Sequence, residues 1–301
     1  MATIDCKDGA LNTGQPSCVP NDAVDVGIIF VNQLADDGTA NKILSTDTID
    51  ASYVLALINN TDKSKRWYPV MDLKSIAGVR AENVTEDIDG VAKNITQGVR
   101  NYDAKMYGNF ANPKFQGVLK SFANIKLAYY KIDVNGNLTA NIGADGNYYP
   151  IKVENGTLQS VYNYASKATS QNIQLKFMVK ETEQDANLIT LDGNTITTDL
   201  TDISGLIDVF GVTSLPTTTS VVLTANLIYG NPSALPKFEG AVLADFVVYN
   251  KTTSSGITPT SVVENTPGVY TFAFSAQTAN DVITINLSKG GFEMKEVTAT
   301  L

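Results

Sequence analysis

The residues of this chain best suited to chemistry are its aspartates. Asp87, Asp89, Asp133 and Asp145 lie in or beside turn-forming stretches. Two such carboxylates facing each other across a groove, at roughly 5–10 Å, could act as acid and base on a glycosidic bond. Asp133-Val134-Asn135-Gly136-Asn137 also opens like a calcium loop, but the twelfth position, where a bidentate glutamate is needed, is Ala144. A hairpin turn accounts for the same letters, and solvated turn residues account for the four aspartates. Histidine is absent from all 301 residues, which excludes a Ser-His-Asp triad and removes the commonest metal ligand. Neither a phosphate-binding Gly-x-x-x-x-Gly-Lys-Ser/Thr loop nor a dinucleotide fingerprint is present. Cys6 and Cys18 match no zinc spacing and read as structural or incidental thiols. The expectation is a non-enzyme with no catalytic, metal or cofactor site.

The elements that carry these residues are strands. Asp-Gly and Asn-Gly pairs recur at Asp8-Gly9, Asp37-Gly38, Asp89-Gly90, Asn135-Gly136, Asp145-Gly146, Asn155-Gly156 and Asp192-Gly193. Such pairs tolerate the positive φ of tight hairpin turns and predict an antiparallel β protein. Val26 to Val31 reads as a buried strand; in the run Lys65 to Val70, Trp67, Tyr68 and Val70 begin another, which Pro69 places at an edge or bulge. Ala81 to Ile88 and Val91 to Val99 form a long hairpin with charged, threonine-rich arms about Asp89-Gly90. Ile125 to Val134 and Leu138 to Ile142 flank another turn. Two short helices are predicted. One falls between Asp47 and Asn59, with Asp47 or Thr48 as its cap; the other opens with Pro113 after Asn112.

Near Gly211 to Thr219 a proline and a threonine run interrupt the pattern. Short strands then recur at Val221–Ala225, Phe246–Tyr249, Gly268–Phe274 and Asp281–Ile285. This spacing suits an immunoglobulin-like β-sandwich, although no Cys–Trp–Cys signature is present. The predicted division is 1–212 and 213–301.

The net charge of −9 disfavours specific binding to a phosphate backbone. No apolar run is long enough to span a bilayer. The N-terminus lacks the basic and apolar regions of a secretory signal, so synthesis and folding in the cytoplasm are expected. Sequons such as Asn83-Val84-Thr85 are read as chance products of an Asn- and Thr-rich chain. The single tryptophan, Trp67, flanked by Arg66 and Tyr68, could be a binding platform. A lone tryptophan in a β protein is more often a core or subunit-interface anchor, and Arg66 could stack on it or pair across that interface.

The stretch from Ile88 to Tyr102, in which an Asp-Gly turn leads through a polar strand into Gly98-Val99-Arg100, resembles structural proteins of tailed bacteriophages, particularly those infecting Bacteroidetes. The following helix and the hairpin Tyr130–Leu138 extend the likeness over about the first two-thirds of the chain. Within that group it is most similar to tail tube proteins. The resemblance implies a mainly β chain: a tube-type β-sandwich or barrel domain with one or two short helices, followed by the immunoglobulin-like domain as an outward appendage. It implies a virion subunit in the tail, assembled in the host cytoplasm with itself and with other virion proteins. Stacked, hexameric rings would form a channel through which DNA passes without specific binding, and the acidic composition would suit a lumen that repels DNA. The long hairpin would be the inter-subunit arm, carrying Glu82, Thr85, Asp87, Asp89, Lys93, Thr96 and Arg100, with Arg66 and Trp67 as interface anchors. The alternatives are a head decoration or tail ring/adaptor protein, a glycan-binding adhesin module, and, last, a polysaccharide-degrading enzyme using carboxylates alone.

Overall fold

Runs of β-branched and aromatic residues between glycine-containing turns set the architecture of this computed structural model, which describes residues 23–108, 111–183, 185–228 and 235–301. The chain divides into two compact units, Met1–Gly205 and Leu206–Leu301. In the first unit the strands are β1 Asp25–Asn32, β2 Tyr68–Val70, β3 Leu73–Arg80, β4 Val84–Ile88, β5 Val91–Thr96, β6 Arg100–Met106, β7 Leu127–Asp133, β8 Leu138–Ile142, β9 Tyr148–Tyr149, β10 Ile151–Lys152, β11 Gln159–Asn163, β12 Asn172–Met178 and β13 Leu188–Leu191, with helices α1 Ala51–Ile58 and α2 Pro113–Ser121. The second unit contains β14 Ile207–Thr217, β15 Ser220–Leu227, β16 Phe246–Asn250, β17 Ser255–Ile257, β18 Ser261–Thr266, β19 Val269–Ala273, β20 Val282–Leu287, β21 Phe292–Met294 and β22 Val297–Thr300. The mainly β expectation, with short helices, holds.

Two sheets build the first unit. One runs β13-β8-β7-β1-β2 and the other β11-β12-β6-β3; the pair β4-β5 stands apart as its own two-stranded sheet. Ile28, Phe30, Leu127 and Tyr129 from the first sheet meet Tyr102, Met106, Leu175 and Phe177 from the second in one core. The Tyr102 and Phe177 rings stack at 4.7 Å, and Tyr129 meets Phe177 edge-on at 5.0 Å. The first sheet is also buried on its far side, through Ile29, Val31, Tyr130 and Ile132. This is why β1 reads as a continuous apolar run rather than an alternating one. The second sheet has only its inner face in that core. Asn101, Asp103 and Lys105 alternate with the buried Tyr102, Ala104 and Met106 along β6.

Local signals explain the elements. The Asp50 carboxylate accepts from Tyr53 N and caps α1, three residues after the predicted Asp47. Asn112 caps α2, with Pro113 in its first turn, as the sequence predicts. Asp89 and Gly90 have φ of 55° and 79°, the left-handed pair that a two-residue type I′ hairpin requires. Asp192-Gly193 departs from the hairpin expectation: Asp192 caps a short 3₁₀ turn, Gly193–Thr195, through Asn194 N. Asp8-Gly9, Cys6 and Cys18 lie outside the described residues.

The second unit is a two-sheet sandwich, β18-β19-β15-β14-β21 over β17-β16-β20-β22. Its own core holds Leu223, Phe246, Phe272 and Ile285 among others. The boundary predicted at 212/213 falls within the strand Ile207–Thr217. Pro216 and the threonine run mark the hairpin into β15, and the units divide earlier, after Gly205.

Candidate assembly surfaces

The hairpin β4-β5 is the feature of the first unit that its own packing does not explain. Every residue of both strands is exposed. Residues opposed in an antiparallel register share a face, and faces alternate along each strand. Ile88 opposes Val91 and Glu86 opposes Lys93. The other side carries Thr85, Asp87, Ala92 and Asn94. Below these pairs the register shifts: Val84 opposes Thr96, and Ile95 falls at the irregularity. The hairpin therefore presents Ile88 and Val91 together beside its turn, next to the Glu86–Lys93 pair, and Val84 and Ile95 at its base; Val84, Ile88, Val91 and Ile95 are exposed by 59%, 39%, 58% and 55%. A lone two-stranded hairpin is marginally stable in water, and such a surface is normally covered.

The root of this arm is tightly built. The Arg80 guanidinium donates to both Asp185 oxygens, at 2.9 and 2.6 Å, and to the Gly98 carbonyl at 2.7 Å. Arg100 adds a second contact to Asp185 at 3.0 Å. Gly98 N donates to Asn83 Oδ1, and Ala81 N to the Val99 carbonyl. A Cβ on Gly98 would lie 1.9 Å from the Ala81 carbonyl oxygen, so only glycine allows the two chains to approach this closely. The hydrogen bond from Arg80, with the charge of Arg100 beside it, holds the Asp185 carboxyl below its ordinary value against the opposing effect of burial.

Of the residues assigned to the arm from the sequence, Thr85 and Asp87 lie on one face, Lys93 on the face of Ile88 and Val91, Asp89 at its tip and Thr96 opposite Val84. Glu82 sits in the exposed connection from β3. Arg100 is not on the arm: it begins β6 and clamps the root through Asp185. The interface-anchor assignment of Arg66 and Trp67 is also corrected. They are 6% and 4% exposed, and a side chain already covered has nothing left to bury against a partner. Trp67 packs on Tyr130 at 5.6 Å and Tyr53 at 6.2 Å, and Arg66 Nε donates to the Asn60 carbonyl. Arg80 and Asp185 were not singled out from the sequence, and Asn83 and Gly98 were named there without a role in the root. Ile88 and Val91, which flank Asp89-Gly90, were the available signal for the exposed pair.

The turn aspartates are occupied structurally. Asp133 is buried and accepts from Asn135 N, Asn137 N, Asn137 Nδ2 and Ala23 N. Asp145 accepts from Lys42 Nζ, Asn147 and Tyr149 Oη, and the lysine holds its carboxyl far below the ordinary range. Asp87 and Asp89 belong to the arm. Among the described residues no group of three or more acidic or cysteine side chains is arranged to hold a metal ion. No helix among them is long and apolar enough to cross a membrane.

The sheet that bears the arm has β3 and β11 as its edge strands. Val79 on β3 and Val161 on β11 are both exposed. An open groove of about 730 Å³ runs along β11, bordered by Gln116 and Lys120 of α2 and by Tyr164. Gln116 Nε2 caps the Ser160 carbonyl at 2.8 Å. The solvent face of this sheet carries Lys74, directly opposite Lys105 on β6, and Lys176, 3.3 Å from Asp103.

No protein-family model matches the chain, and no curated protein matches it. Among solved structures, the N-terminal part of the bacterial S-layer protein SbsC is 18% identical over 31% of this chain, with a TM-score of 0.24. The match spans 24% of that structure, and at this level of similarity it carries no argument.

Proposed function

We propose that the chain is a self-assembling structural subunit whose β4-β5 arm lays its exposed aliphatics on another copy. The observation that carries this reading is four exposed aliphatics, Ile88 and Val91 paired beside the turn and Val84 and Ile95 at the base, on a hairpin whose root is held by Arg80. Fully covering a β-branched aliphatic is worth about 1.5–3 kcal/mol, so covering four half-exposed ones is worth roughly 3–6 kcal/mol per arm. The two edge strands of the same sheet supply a second contact. β3 of one copy against β11 of the next, once Gln116 of α2 releases the Ser160 carbonyl, would continue the sheet around a ring.

The tail tube of a tailed bacteriophage is the particle that best fits a subunit with these two contacts. In that role the chain is a virion component, assembled in the host cytoplasm into stacked hexameric rings that conduct DNA. One earlier expectation needs revision. If the open sheet lines the lumen, its face carries three lysines and one aspartate on the strands named above, so the overall acidity of the chain does not extend to that face.

Electron microscopy of the purified, concentrated protein tests the reading. Rings or tubes are expected, and replacing residues 84–96 by a short Gly-Ser linker abolishes stacking while the rest of the fold keeps its melting transition. Tubes of normal length from the linker variant would refute the role of the arm.

A further inference from the structure

Two asparagines of the chain precede a glycine, Asn135 and Asn155. In such a pair the glycine backbone nitrogen can attack the asparagine side-chain carbonyl, because no Cβ hinders the approach and the reacting groups sit on adjacent residues. The reaction needs a nitrogen that nothing else holds and a peptide that is free to turn. The fold meets these conditions at one pair and denies them at the other.

Asn135-Gly136 is clamped. Gly136 N donates to the Asp133 carbonyl at 3.0 Å, and Asn135 N donates to Asp133 Oδ1 at 2.9 Å. The backbone of Gly193 lies against the same peptide: a Cβ there would sit 2.6 Å from the Asn135 carbonyl oxygen and 2.9 Å from the Gly136 carbonyl carbon. Gly193 N is itself fixed to Asn137 Oδ1 at 2.8 Å. Attack by Gly136 N would have to break its hydrogen bond and turn a peptide that has another stretch of main chain packed on it.

Asn155-Gly156 is open. Both residues are exposed, and a Cβ on Gly156 would meet nothing within 4 Å. The turn around them is closed only at its ends, where Thr157 N and Thr157 Oγ1 donate to the Glu154 carbonyl at 3.3 and 2.7 Å. Among the described residues nothing accepts from Gly156 N, and the Asn155 side chain has no hydrogen bond.

We propose that Asn155 is a site of spontaneous covalent modification. Gly156 N loses its proton to solvent and bonds to Asn155 Cγ, closing a five-membered succinimide, while the side-chain amide takes a proton from water and leaves as ammonia. Water then opens the ring. Breaking the new N–Cγ bond gives aspartate; breaking the original bond from Gly156 N to the Asn155 main-chain carbonyl gives isoaspartate. The net change consumes one water, releases one ammonia and adds one negative charge. That charge lies beside Glu154, in the connection from β10 to β11. The isoaspartyl product also adds a carbon to the main chain just before Thr157, whose Oγ1 accepts from Met178 N at 3.1 Å, so the change reaches the join of β11 with β12.

The hydrogen bond on Gly136 N is worth about 1 kcal/mol, or about fivefold in rate, before the packing of Gly193 is counted. The test is to incubate the purified full chain in mildly alkaline buffer made with heavy-oxygen water, and to follow both sites by peptide mass spectrometry. The Asn155 peptide is expected to lose ammonia and take up labelled oxygen at least about fivefold faster than the Asn135 peptide. In denaturant the two are expected to convert at similar rates, which assigns the difference to the fold. Asn155→Gln removes the acidic species that ion exchange resolves in the aged parent chain. Equal rates in the folded chain, faster conversion at Asn135, or conversion of Asn155 only in denaturant would each overturn the proposal.

Discussion

Replacing Ile88 and Val91 by lysine separates assembly from folding. Both side chains lie on the exposed face of the arm and oppose each other beside its turn. The substitutions remove one cross-strand apolar pair and set two lysines opposite each other, which costs the hairpin about 1 kcal/mol locally and leaves the sandwich core untouched. Covering these two half-exposed residues in an assembled particle is worth roughly 1.5–3 kcal/mol, which corresponds to about a ten- to hundredfold weaker contact once they are gone. Burying two lysine charges weakens it further. The assay is sedimentation velocity across a concentration series, with calorimetry on the same samples. The expected result is an unchanged melting temperature and a mass distribution shifted to single subunits at concentrations where the parent chain forms large particles. Particles of parent size and affinity from the double variant would refute the reasoning, because Ile88 and Val91 would then be uncovered in the assembly as well.

Three further outcomes follow from the same geometry. Trp67→Ala removes a buried ring packed on Tyr130 and Tyr53 and costs about 3–5 kcal/mol in chemical denaturation, with assembly of the remaining folded protein unaltered. Gly98→Ala forces the root apart, since the new Cβ meets the Ala81 carbonyl; hydrogen exchange of residues 84–96 is expected to accelerate while the core amides of β1 and β7 keep their protection. Asp185 has a folded pKa below its unfolded one, so its stabilisation of the root is fully present above the ordinary carboxylate range and is lost as pH falls through the lowered folded value. Asp185→Asn should lower the protection factors at the arm root at neutral pH to those the parent shows only in acid.

The parts of the fold that local chemistry decides were legible in the sequence. Asp89-Gly90 specifies its turn because few other pairs accept positive φ at both positions. Asn112-Pro113 marks the start of α2 for an equally local reason, since the cap needs a side-chain acceptor and the next residue can spare its N–H. What escaped depends on distant partners. Trp67 and Arg66 read as interface residues because composition alone cannot say that Tyr53 and Tyr130 close over the ring. Arg100 looked like a continuation of the arm because its partner, Asp185, is far along the chain. The charged letters of β4 and β5 drew attention away from the pairing that sets Ile88 opposite Val91.

The central claim is that another copy of the chain covers the exposed aliphatics of the arm. Hydrogen exchange read by mass spectrometry on residues 84–96, in dilute and in concentrated protein, tests this most directly. The account predicts fast exchange in single subunits and strong protection that rises together with particle formation. Particles that form while these amides continue to exchange at the dilute rate would contradict it.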